Sequence, residues 1–105
     1  MKIIEGWIYE YCHADDCHIV ISKSKITDKM IMEYIKSIIE RGDAYGEYVS
    51  FWKKDLIDKW ERSKIVSWEL FWIMEAEELV KIIDDIFKEY KGKKVKITID
   101  VIEEE

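Results

Sequence analysis

The sequence predicts an α+β fold: a two-layer sandwich in which a mixed four-stranded sheet carries helices on one face, with elements in the order β-β-α-α-β-α-β. Three observations predict it. They are the apolar, aromatic-rich run IVSWELFWIM at 65–74, the amphipathic stretch 77–90 that follows, and the alternating segment 95–101. A membrane span needs about 20 apolar residues. The shorter run at 65–74, broken only by Ser67 and Glu69, therefore reads as a buried strand. Strand, helix and strand in succession imply a right-handed crossover between parallel strands.

The elements follow in order. Residues 2–24 read as two strands around the loop His13-Ala14-Asp15-Asp16-Cys17, because both flanks alternate and are rich in Ile, Val, Trp and Tyr. A three-residue loop, Ala14-Asp15-Asp16, sets Tyr11 opposite Ile19 and Tyr9 opposite Ile21, which gathers Trp7, Tyr9, Tyr11, Ile19 and Ile21 on one face. The other parity gives a poorer apolar face. Thr27 is placed as an N-cap before Met30, Ile31, Tyr34, Ile35, Ile38 and Ile39 at helical spacing, with Gly42 as the stop. The pattern lapses over 43–48. Trp52, Leu56, Ile57 and Trp60 then predict a second helix through about Arg62.

Strand three is predicted at 64–75 and the third helix at 77–90, on the stripe Leu79, Ile82, Ile83, Ile86, Phe87 and Tyr90 with Gly92 behind it. In the last strand Val95, Ile97, Ile99 and Val101 alternate with Lys96, Thr98 and Asp100. All 105 residues are read as a single domain.

Composition narrows the function classes. With 49% hydrophobic and 38% charged residues, and no Asn, Gln or Pro, the chain is built to bury a core, and disorder is excluded as its main state. Lys far outnumbers Arg, a balance expected of a thermophilic archaeon or one of its viruses. The net charge of −6 argues against nucleic acid as a partner, since phosphate binding needs a basic stripe, and Lys91, Lys93, Lys94 and Lys96 read as a solvated helix end. No signal-like n-region and no run of 18 apolar residues occurs, so a cytoplasmic protein without membrane contact is expected. Phosphate-loop and dinucleotide fingerprints are absent.

Two constellations remain. Both cysteines and both histidines lie in Cys12-His13-Ala14-Asp15-Asp16-Cys17-His18. These four side chains are the candidate metal ligands, for zinc, although a hairpin sends neighbouring residues to opposite faces and one ion cannot readily take all four. A Cys12–Cys17 disulfide and a Cys12 nucleophile with His18 as base are further readings, and an ordinary hairpin tip is the plain alternative. The second constellation is a candidate docking surface. Tyr45, Tyr48, Phe51 and Trp52 gather beside two glycines, and Glu69, Phe71 and Ile73 are assigned to a sheet face left open by the helices. That open face is also predicted to hold Ile8, Glu10, Cys12, His18, Val20, Ser22 and Ile65. The function expected is that of a small acidic regulatory or interaction protein. It is expected to be a homodimer and to dock on a macromolecular partner through the sheet face or the aromatic segment. The alternative is a small metal- or thiol-dependent enzyme or metal-binding protein at the hairpin tip; enzymatic activity is the weaker expectation.

Overall fold

In the computed structural model, which describes residues 3–103, the first two strands are β1 (Trp7–His13) and β2 (Asp16–Ser22), antiparallel and joined by Ala14 and Asp15. Ala14 takes a φ of 54°, the left-handed conformation that closes so short a turn. Cys12 therefore faces Cys17, Tyr11 faces His18 and Tyr9 faces Val20, one step away from the predicted register. The slip exchanges the faces of β2. Val20 and Ser22, each fully buried, join Tyr9 under the helices, while Ile19 and Ile21 turn to the other side. Ser22 can replace an isoleucine in the core because its hydroxyl donates to the Ser24 carbonyl and accepts from the Ser24 N–H.

Helix α1 (Asp28–Glu40) is as expected: the Thr27 hydroxyl accepts from Met30 N–H at 3.2 Å, and Ile31, Ile35 and Ile38 are buried. Helix α2 (Ala44–Ser63) starts well before the predicted boundary. Asp43 caps it by accepting from Gly46 N–H at 2.8 Å, so the stretch read as a lapse, glycine included, is regular helix. That amide first, and the Arg41 guanidinium beside Asp43 after it, hold the Asp43 carboxyl below its ordinary range.

Strand three proves to be short. β3 (Ile65–Ser67) hands over at once to helix α3 (Trp68–Ala76), where one long strand was expected. Leu, Met, Glu and Ala are good helix formers, and Glu69 in the first turn suits the positive end of the helix. The helix ends in a Schellman motif: Glu78 N–H donates to Glu75 C=O and Leu79 N–H to Met74 C=O, both at 2.9 Å, with Glu78 at φ 56°. That turn breaks the predicted third helix into β4 (Val80–Ile82), α4 (Ile83–Phe87) and one 3-10 turn, Lys88–Tyr90. Residues 94–103 form no helix or strand, contrary to the expected last strand.

The described strands form one sheet in the order β3-β1-β2-β4, with β3 parallel to β1 and β4 antiparallel to β2. β3 and β4 thus run the same way on opposite edges, with the hairpin between them. The expected crossover from 64–75 through a helix at 77–90 to a strand at 95–101 is not formed; instead α3 carries the chain from β3 to β4 across the hairpin. Tyr9, Val20, Val66 and Val80 meet Ile31, Ile35, Val49, Leu56, Trp60, Leu70 and Met74 in one core. The Tyr9 hydroxyl fastens the loop before α1 by accepting from Ile26 N–H at 2.8 Å. The other face of the sheet is open and carries Ile8, 57% exposed, and Ile19, 48% exposed, with Glu10, Cys12, Ile21 and Ile65 partly covered. No helix among the described residues is long and apolar enough to cross a membrane.

Candidate functional site

Helix α3 is the element on which the candidate surfaces converge, because its sides are claimed by different neighbours. Toward α2 it meets an aromatic ridge. Tyr45, Tyr48 and Trp52 fall on one stripe of α2 at spacings of three and four, and Trp68 and Trp72 lie across from them. The Tyr45 hydroxyl donates to the Glu69 carbonyl at 2.6 Å and accepts from Trp72 Nε1 at 3.3 Å. The Tyr48 hydroxyl donates to Glu69 Oε1 at 3.4 Å. Burial first, and the Glu69 carboxylate with it, raises both phenols above the ordinary tyrosine range, so both stay protonated donors.

Phe51 packs edge-on against Trp52 and is 79% exposed; Trp52, Trp72 and Tyr48 are each exposed by more than two-fifths. Together these rings form a patch of the kind that anchors partners. The patch already receives a cation. The Arg41 guanidinium lies 5.8 Å from the centroids of both Tyr45 and Trp72 while pairing with Asp43 at 2.9 Å.

Glu69, Phe71 and Ile73 are on α3 and none lies on the open sheet face, because the run that carries them is helical. Phe71 is buried and stacks on Tyr11 at 4.2 Å, and Ile73 packs against the core. Glu69 is 6% exposed and its Oε2 has no hydrogen-bond partner, nor has the buried Ser67 hydroxyl two residues before it. Such groups cost about 1–3 kcal/mol each when left unpaired.

On its other side α3 forms one wall of a groove of about 720 Å³ whose floor is Phe71, Val80, Ile82 and Ile86. Its lining includes Glu75, Glu78, Asp85 and Glu89, and Lys81 is the one cation among its described residues. Sequence reasoning missed this groove because a continuous helix over 77–90 spreads these acids around a cylinder. The density of acids after Met74 was the available signal, and the turn at Glu78 is what folds them round Phe71.

At the hairpin tip Cys12 and Cys17 form a disulfide. Their sulfurs and a carboxylate oxygen of Glu10 lie within 4.8 Å of one another, on the open face of the sheet. His18 and His13 take the opposite parity: His18 stacks near Tyr11 and pairs with Asp16 at 3.3 Å, and His13 meets the Trp68 ring edge-on at 5.1 Å. The four predicted ligands therefore divide two and two. A disulfide offers a metal no thiolate; the reduced tip would present two thiolates and one carboxylate. No protein family, curated protein or solved structure matches the chain.

Proposed function

We propose that this protein is a docking module that binds a basic, partly apolar segment of another protein in the groove between α3, β4 and α4. The observation that carries the reading is the groove's charge: among the described residues the carboxylates of Glu75, Glu78 and Asp85 face one ammonium, that of Lys81, around an apolar floor. Arginine and lysine side chains suit such a site, since their aliphatic stems can lie on Phe71, Ile82 and Ile86 while their heads meet the rim. The net charge of −6 works in the same direction by steering a basic partner toward the molecule and repelling nucleic acid. The seat of Arg41 on the neighbouring ridge is an intramolecular example of the same recognition.

The test uses a fluorescent peptide alternating arginine with leucine, titrated by anisotropy at rising salt. Exposed charge pairs contribute about 0.2–1 kcal/mol each. The double variant Glu78→Gln, Asp85→Asn is therefore expected to bind roughly twofold to thirtyfold more weakly, and wild-type binding should fall steadily as salt screens the rim. The pair Glu33→Gln, Glu40→Gln on α1 changes net charge equally but lies away from the groove, and should bind as wild type. Equal losses in both double variants, or no binding at low salt, would reject the groove.

A further inference from the structure

Residues 93–103, KKVKITIDVIE, are exposed, and 94–103 belong to no helix or strand. Val95, Ile97, Ile99, Val101 and Ile102 are 53–90% exposed, and among the described residues no backbone hydrogen bond joins 94–103 to the rest of the chain. So much β-branched surface, alternating from Val95 to Val101, is the composition of a strand lacking its neighbour. The chain's own sheet is a poor match. Its edge strands, β3 and β4, are three residues each, too short to pair most of the segment.

We infer that the neighbour is the same segment of a second copy, paired antiparallel about a two-fold axis at Thr98. The segment is complementary to itself in that register. Thr98 meets Thr98, Ile97 meets Ile99, Val95 meets Val101, Lys96 meets Asp100 and Lys93 meets Glu103. Every apolar residue of odd number faces an apolar one and Lys96 faces Asp100, while Lys94 falls opposite Ile102 toward the end of the ribbon. The alternatives are worse. Slipping by one residue sets Ile97 and Ile99 against polar side chains in either direction. Slipping by two sets Lys96 against Thr98 or Ile102. A parallel in-register pair stacks Lys on Lys and Asp on Asp. An isologous contact of this kind closes on itself, giving a dimer and not a fibre. A two-stranded ribbon alone is marginal in water, so its apolar stripe needs a cover. The open sheet face, with Ile8 and Ile19 exposed, supplies a surface of matching chemistry. This dimer is independent of the groove.

The pairing is tested by charge reversal in the full chain, read by native mass spectrometry and sedimentation. Lys96→Glu sets acid against Asp100 of the other copy, and Asp100→Lys sets Lys96 against lysine. Each variant is expected to dissociate at least tenfold more readily than wild type, with unchanged circular dichroism. Mixed in equal amounts, the two should form a heterodimer, since the new glutamate of one copy then meets the new lysine of the other and the two unchanged side chains, Asp100 and Lys96, meet at the second site. Thr98→Cys should form a covalent dimer on mild oxidation, because directly opposed strand residues lie within disulfide reach. A wild-type protein monomeric at high micromolar concentration would overturn the inference. So would a dimer indifferent to both reversals, or reversal variants that do not pair on mixing.

Discussion

Replacing Gly46 by alanine sets two effects of known size against each other. Gly46 lies inside α2, buried, where α1 crosses it. A Cβ there would stand 2.7 Å from the Ile38 carbonyl oxygen, 3.2 Å from that of Ile39 and 3.4 Å from the Ile39 Cα, all backbone atoms. Alanine is favoured over glycine in a helix interior by about 0.8–1 kcal/mol. Forcing extra atoms into a packed contact costs about 1–3 kcal/mol, and here no side chain can swing aside. The last turn of α1 resists the shift further, because Ile38 and Ile39 carbonyls already accept from Arg41 and Gly42 N–H. The clash wins, and Gly46→Ala is expected to destabilise by about 1 kcal/mol, lowering Tm by about 4–8 °C. Urea unfolding followed by tryptophan fluorescence measures it, with an unchanged m-value as the sign that folding stays two-state. An alanine variant as stable as wild type, or more so, would mean that α1 and α2 do not approach this closely, as a loop reading of 43–48 requires.

Two further outcomes follow from individual hydrogen bonds. Tyr9→Phe strands the buried Ile26 N–H, whose bond to the Tyr9 hydroxyl is 2.8 Å, and should cost about 1–3 kcal/mol in the same urea assay; a loss under about 0.5 kcal/mol would show that the loop before α1 is held otherwise. Tyr34 is pushed up to about 12, chiefly by burial and then by the hydrogen bond it donates to Glu77 at 2.9 Å. A raised folded-state value means that the protonated phenol is favoured by folding. Its contribution is complete below the ordinary tyrosine value of about 10 and fades as pH climbs from there toward 12. Urea midpoints measured across that window should fall more steeply for wild type than for Tyr34→Phe, and parallel curves would refute the assignment.

What the sequence made legible is what local chemistry decides. Thr27 with the 3.6-residue rhythm of Met30 to Ile39 specifies α1 almost to the residue, because cap and stripe agree. The inward faces of β1 and of Val66 were legible for the same reason. The failures fall where one signal has two physical solutions. IVSWELFWIM is apolar on nearly every side, so no period separates strand from helix; the helix formers decide it once α3 is buried against the core at Leu70 and Met74. Lys64 and Glu78, at φ 52° and 56°, end helices in the conformation usually marked by glycine, and nothing in a lysine or glutamate announces that. The β2 register turned on Ser22, a residue whose burial depends on a partner, Ser24, that patterning does not weigh.

The same ambiguity bears on where the site sits. Positive-φ residues other than glycine occur in the hairpin at Ala14 and at the end of α2 at Lys64, but α3 gathers three conflicts of its own: an N-cap serine with no cap bond, a buried carboxylate with an orphan oxygen, and a glutamate in glycine's place at the C-terminus. Each has a cost that a purely structural helix could avoid by a single substitution, to apolar residues at Ser67 and Glu69 and to glycine at Glu78. Two of the side chains involved, Glu69 and Glu78, border the aromatic ridge and the groove. Glu69 holds Tyr48 by its carboxylate and Tyr45 by its carbonyl, and Glu78 lines the groove it helps to form by turning the chain into β4. Departures from the stability optimum on one short helix that borders both the aromatic ridge and the acidic groove are compatible with the proposed docking role, because groups placed for binding need not be the groups that pack best.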